Sequence, residues 1–222
     1  MTDISLEELA ALAALALAGT FTPGPNNALL SASGARFGLR ATLPHARGVA
    51  LGFPLMVFAV ALGLGQVFQA SELLREALRW GGAALMAWIA WKIATAPAPG
   101  QPTRQDGTGG AARPWSFLQA AAFQWVNPKA WVMCIGIAAP FANGEHPVRD
   151  AAIAAGIFVL SGILSTHSWA AFGAAMGRFL GHGLRYRVFN LVMAGLIVLG
   201  VAALISGDLS TPTPSPSPAL GD

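Results

Sequence analysis

Pro23-Gly24-Pro25-Asn26-Asn27 sits inside an apolar stretch that carries no charged side chain from Leu9 to Ala35, and Asn127-Pro128-Lys129 interrupts another apolar stretch about a hundred residues later. Proline removes a backbone donor and clashes with the preceding helical turn, so such a break is tolerated in lipid only where protein or a water-filled cavity satisfies the backbone. Two helices broken at membrane depth point to a carrier with its substrate site at the breaks.

Composition places the chain in the membrane. Of 222 residues 55% are hydrophobic and 10% charged, and the mean hydropathy is +0.57, whereas a soluble domain carries roughly a quarter charged residues. That length holds about six spans of about 20 residues with short loops and no additional soluble domain. Cys134, the only cysteine, has no intrachain partner, which excludes an internal disulfide; it reads as a small buried hydrophobe. The formal charge is +3, but the basic residues lie at span ends, where they set topology, so membrane lipid and not nucleic acid is the expected partner. Asp3, Glu7 and Glu8 replace the basic n-region of a signal peptide, so the first apolar segment is expected to be retained.

The charge gaps predict an all-α integral membrane protein with spans at about 6–34 (broken near 23), 45–69, 74–96, 115–139 (broken near 128), 150–177 and 187–207. One carrier domain, 1–209, is expected to hold half one at about 6–96 and half two at about 115–207. The Pro/Gly-rich segment 97–114 reads as a flexible linker between them, and the Pro-rich 210–222 as a disordered tail. Arg36, Arg40, Arg47, Lys92, Arg104, Arg113, Arg178, Arg185 and Arg187 fall on one side; Arg75, Arg79 and Arg149 fall on the other with every acid except Asp106. The basic side is expected to be cytoplasmic and both termini outside, unless the first segment is a re-entrant hairpin, which would move the N-terminus inside. Three spans per half make the second half enter from the opposite face, so related halves would be inverted repeats with their broken first helices facing across a midplane site.

The breaks read chemically as a binding site. Asn127 is a good N-cap and Pro128 fits the first helical position, so a helix restarts there with a positive end, and Lys129 adds a full charge: together, an anion site suited to a carboxylate. The alternative is a kinked helix whose lysine snorkels to the interface. In the first break Thr22 can cap Pro23, Gly24 allows close backbone approach, and the Asn26 and Asn27 amides can donate and accept. There the alternative is a kink at Pro23 and Pro25 with the asparagines packing between helices. Ser161, Ser165 and Ser168 lie near His167 with no acid to orient it, so no enzyme is expected. The spans lack oxygen-rich carboxylate clusters, so neither a metal site nor a cofactor is expected, which also counts against the competing reading of an inorganic-cation exporter. A structural or lipid-handling membrane protein would have no need of two aligned polar breaks.

Thr22-Pro23-Gly24-Pro25-Asn26 in the first helix, Arg36-Phe-Gly-Leu-Arg40 after it, Gly48-Val-Ala-Leu-Gly52 in the second and Asn127-Pro128-Lys129-Ala130 in the fourth resemble the lysine exporter (LysE/RhtB) family of amino-acid efflux carriers, over about residues 6–205. The resemblance implies an inner-membrane exporter of amino acids or related small metabolites, driven by the proton gradient and often a homodimer. Many members of that family carry an aspartate where this chain has Phe53, and an acid in the fifth span where it has Thr166-His167. Without a membrane-embedded acid a cationic side chain would have no counter-ion, so a neutral amino acid or similar zwitterion is expected. His167 is the titratable group left for proton coupling; its alternative role is a neutral histidine hydrogen-bonded between helices. Of the Gly-x-x-x-Gly pairs at 34/38, 48/52 and 173/177, only Gly48/Gly52 is expected to mark tight helix packing. Arg36 and Arg40 are read as topology determinants before gating residues.

Overall fold

A computed structural model of the chain describes residues 5–98, 113–138, 146–181 and 183–206. Regular structure among these residues is entirely helical, as the apolar periodicity requires. Helix α1 (Leu6–Phe21) opens on a capping box: Glu8 N–H donates to Ser5 Oγ at 3.2 Å, and Ser5 N–H to Glu8 Oε2 at 2.8 Å. It ends at Thr22, and α2 (Pro25–Phe37) begins after Gly24 with Pro25 in the first turn, bent 52° from α1.

Helix α3 (Leu39–Ala59) continues through a π-helical turn, Val60–Leu64, into α4 (Gly65–Ala70). Gly63 within that turn has φ 119°, a left-handed conformation that glycine adopts without a Cβ penalty. Sequence spacing alone did not mark this third irregularity. Helix α5 (Glu72–Ala94) is capped by the Ser71 hydroxyl, which accepts from Leu74 N–H. Helix α6 (Phe117–Phe123) starts on a second capping box, Ser116 with Gln119, tightens into the 3₁₀ turn Gln124–Val126, and breaks at Asn127 before α7 (Pro128–Ala138). Helices α8 (Pro147–Leu180) and α9 (Leu184–Ser206) complete the described chain. At about 1.5 Å per residue α8 is about 51 Å long and overruns a hydrocarbon core of about 30 Å.

Among the described residues three helices, Leu39–Ala70, Pro147–Leu180 and Leu184–Ala202, are long and apolar enough to cross a membrane; the bent α1–α2 pair is a broken span, which would make a fourth, or a re-entrant loop. The chain is a multi-pass membrane protein. Helix α5 and the broken α6–α7 segment stand where two further spans were expected; Glu72, Arg75, Glu76 and Arg79 fill the first turns of α5 and confine its apolar run to the remainder. Residues 99–112 of the expected linker and all of the expected tail lie outside the described residues.

Small residues set the closest helix approaches. A Cβ on Gly48 would meet the Phe117 carbonyl of α6, and one on Gly52 would lie 2.6 Å from Ala121 Cα, so the expected tight packing is present. The expectation that the other two pairs are incidental needs correction. Gly173 and Gly177 of α8 lie against the backbone of Ser31 and Ala35 in α2, and Gly34 of α2 lies against the Ala170 carbonyl, so this crossing is equally close. Of the six glycines in these pairs only Gly38 is a bystander to packing, with φ 82° at the α2–α3 turn and open space around it. Cys134 is fully buried in an apolar cluster with Met56 and Phe158. Trp131 is buried and stacks on Phe68 at 4.1 Å, whereas Trp80, Trp88 and Trp91 lie exposed along α5, where lipid would cover them.

Gly173→Ala would force its methyl into main chain, which cannot rotate away, and is expected to destabilise the protein by about 1–3 kcal/mol. Gly156→Ala on the open face of α8 should be neutral or stabilising by up to about 1 kcal/mol. Thermal unfolding of the two purified variants in detergent checks the contrast; equal melting points would show that the α2–α8 crossing has room to spare.

Candidate functional site

The two breaks meet. The carbonyls freed at the end of α1 are covered by side chains: Asn27 Nδ2 donates to Thr20 O at 2.9 Å and to Thr22 O at 3.0 Å, and Ser165 Oγ of α8 donates to Thr20 O at 2.7 Å. Lys129 Nζ reaches across from the second break and donates to Thr22 O at 2.8 Å. Its side chain lies on Gly24, where a Cβ would come within 3.1 Å of Nζ, so a larger residue would push the lysine aside by a few tenths of an ångström. Thr22 does not cap the following turn as expected; its hydroxyl donates back to Ala18 O at 2.6 Å, and α2 starts on Gly24 without a side-chain cap. Asn127 does cap: its Oδ1 accepts Lys129 N–H at 3.2 Å.

A second link joins the breaks one turn away. Asn26 Nδ2 donates to Gln124 Oε1 at 2.8 Å, and Gln124 Nε2 donates to Asn26 Oδ1 at 3.2 Å and to Ala120 O at 2.8 Å. Gln124 is fully buried and carries no motif signature, so spacing could not have singled it out. A glutamine one turn before a helix break, in an otherwise apolar run, was the available signal.

Between the breaks lies a partly open cavity of about 50 Å³, room for a few water molecules at about 10–15 Å³ each. Of the residues expected to bind substrate, Gly24, Asn26, Asn27, Asn127 and Lys129 line it; Pro23, Pro25 and Pro128 do not. The prolines shape the breaks from outside: Pro128 packs against Gly82 of α5 and Pro25 against Gly200 of α9. His167 is not in the lining either. Its Nδ1 lies 2.8 Å from Ile163 O of its own helix and 3.4 Å from the hydroxyl of Thr166, which does line the cavity. Val49, Phe53, Met133 and Phe158 form an apolar wall, with Phe53 and Phe158 edge to face at 5.5 Å. Thr20, Ser165 and Thr166 add hydroxyls that sequence spacing did not assign to the site. His45, also unassigned, is fully buried one helical turn before Val49, its ring 5.4 Å from that of Trp115 and neither nitrogen hydrogen-bonded.

Electrostatically the cavity holds one full charge. No acid lines it, and no cluster of metal-ligating side chains occurs among the described residues. The end of α1 presents carbonyl oxygens and the start of α7 a positive helix pole, so the two breaks offer ends of opposite sign to one small space.

A family model for the LysE type translocator matches residues 17–207, nearly the whole of the helical chain. The chain belongs to the LysE translocator family. Cysteine/O-acetylserine efflux proteins of Escherichia coli K12 and Shigella flexneri serotype 5b are similar to this translocator, each 33% identical over 184 residues, covering 80% of this chain and 87% of the relative. Another from Escherichia coli O139:H28 is 32% identical over the same span. No solved structure matches. Family membership makes the protein a transporter and not an enzyme, and supports amino-acid export as its activity.

Removing Asn26 would leave the buried Gln124 Oε1 without its donor, at a cost of about 1–3 kcal/mol, and removing Gln124 would leave the half-buried Asn26 amide without its partner. The translocator should therefore show strong coupling in a double-mutant cycle of Asn26→Ala and Gln124→Ala, with the double variant little worse than either single one. Additive losses in melting temperature would show that the two amides do not act together.

Proposed function

We propose that this translocator exports small neutral amino acids across the inner membrane by alternating access, coupled to the proton gradient. The observation that carries the proposal is the meeting of the two helix breaks at one cavity that holds the Lys129 ammonium and no acid. An ammonium at membrane depth is kept for a partner or a function, and a substrate carboxylate is the anion an amino-acid carrier brings. The apolar wall of Phe53, Phe158, Val49 and Met133 suits an uncharged side chain. The efflux proteins of Escherichia coli and Shigella, named for cysteine and O-acetylserine, fit the same class of small neutral substrate.

Alternating access draws support from the distribution of close packing. The glycine crossings of α2 with α8 and of α3 with α6 lie on the side of Arg36, Arg40, Arg113 and Arg178, while Thr22 and Pro23 at the first break are exposed. Lys129 bridges the two breaks across the cavity, so loading requires these elements to part. Six spans in two inverted halves are the arrangement in which both broken helices enter one midplane site. For proton coupling, the contact of His167 with the cavity residue Thr166 supports His167 as the residue involved. The homodimer implied by the family belongs to the same proposal.

Lys129→Ala is expected to abolish efflux from preloaded vesicles while expression and insertion persist, because removing a costly charge does not weaken the fold. Lys129→Arg should restore little, since the planar guanidinium cannot lie along Gly24 as the lysine stem does. Wild-type vesicles should release neutral amino acids and retain lysine and arginine; near wild-type export by Lys129→Ala, or selective export of the basic amino acids, would refute the site.

The orientation predicts that reporter fusions near Arg104 and Arg185 read as cytoplasmic and fusions after Asp208 as external. Cytoplasmic signal from the latter would overturn the nine-to-three distribution of basic residues as the topological determinant.

A further inference from the structure

Lys129 is placed unusually for an anion-binding lysine. Its ammonium rests on a carbonyl oxygen, Thr22 O, at 2.8 Å, and makes no ion pair among the described residues. The neighbouring carbonyl, Thr20 O, already accepts from Ser165 and Asn27, and Thr22 O accepts a second bond from Asn27. Two carbonyls at the negative end of α1, taking four hydrogen bonds from the three donor groups Asn27 Nδ2, Ser165 Oγ and Lys129 Nζ, make a site suited to a primary ammonium, and the lysine's ammonium occupies it.

We propose that Lys129 stands in for the substrate's α-ammonium: a zwitterionic amino acid puts its own ammonium on the Thr22 carbonyl, within reach of Ser165 Oγ, displaces Lys129 from Thr22 O, and pairs its carboxylate with the lysine it has released. The inference deepens the exporter reading and rests on it. The two ammonium groups are alike in charge, size and donor number, so the carbonyl site accepts either. Only one fits on Thr22 O, where the lysine lies against Gly24. The exchange leaves each charge with a partner of opposite sign or a carbonyl, whereas an amine without a carboxylate would leave two cations side by side. Ser165 then becomes a substrate-binding residue: its hydroxyl hydrogen goes to Thr20 O, and its remaining lone pairs face the cavity that it lines.

The test uses the purified full-length protein in detergent with a reductant, and three probes that dissect one amino acid: L-cysteine, 3-mercaptopropanoate (carboxylate, no ammonium) and cysteamine (ammonium, no carboxylate). Affinity is read from ligand-induced thermal stabilisation. Wild-type protein should bind cysteine at least about tenfold more tightly than either fragment, with cysteamine weakest. Lys129→Met keeps the stem and removes the competing ammonium, so it should lose 3-mercaptopropanoate and bind cysteamine about tenfold or more tighter than wild type does. Lys129→Gln repeats this arm should the methionine variant not fold. Ser165→Ala should weaken cysteine and cysteamine together and leave 3-mercaptopropanoate unchanged. Equal wild-type binding of cysteine and 3-mercaptopropanoate, or no gain for cysteamine without the lysine, overturns the exchange while leaving amino-acid export standing. If neither cysteine, O-acetyl-L-serine nor any other neutral amino acid stabilises the wild-type protein, the exporter reading fails and the exchange falls with it.

Discussion

A broken helix in a membrane must find partners for its freed backbone groups without help from bulk water, and that constraint organises this translocator. An unsatisfied carbonyl in an apolar medium costs several kcal/mol. The protein meets the demand with side chains drawn from both halves of the chain. Asn27 bridges Thr20 O and Thr22 O from within the first break, Ser165 approaches from α8, and Lys129 comes from the second break. Asn127 caps its own restart. The first break is therefore completed partly by residues far away in sequence, the second by its own neighbours, and the site cannot form until both parts of the chain are packed.

This dependence explains why the closest helix crossings flank the site. Lys129 reaches Thr22 only because α2 seats on α8 through Gly34, Gly173 and Gly177, and α6 seats on α3 through Gly48 and Gly52. Glycine at these positions lets helix backbones approach by the width of a missing side chain, which in lipid replaces hydrophobic burial as the source of contact energy. The Asn26–Gln124 pair then locks the register between the breaks. Substrate movement must trade these bonds for others of similar strength.

The apolar wall gives the cavity its chemical character. Phe53 and Phe158 meet edge to face where a counter-ion for a cationic substrate would have to stand. With Lys129 as the only charge inside, a neutral amino acid adds no net charge to the site, and a basic one would add an unpaired cation.

Much of this was legible in the residues alone. The all-helical membrane class follows from the 55% hydrophobic composition, and both breaks follow from proline and glycine inside charge-free runs, because these are local properties of the backbone. Five of the eight residues read as substrate-binding line the cavity: Gly24 through its backbone, and Asn26, Asn27, Asn127 and Lys129 because a polar side chain beside a helix break has little else to bond. Their hydrogen-bond partners were not legible. Gln124, Ser165 and Thr166 look like ordinary polar residues in apolar helices, and the π-helical turn around Gly63 has no motif; the prolines proved to be shapers and not lining. Tertiary structure alone decided that Lys129 points at the carbonyl end of α1, and that Gly173 and Gly177 pack as closely as Gly48 and Gly52. Such facts depend on which helix faces become neighbours, and a pattern with helical period identifies a face without naming the surface it will meet.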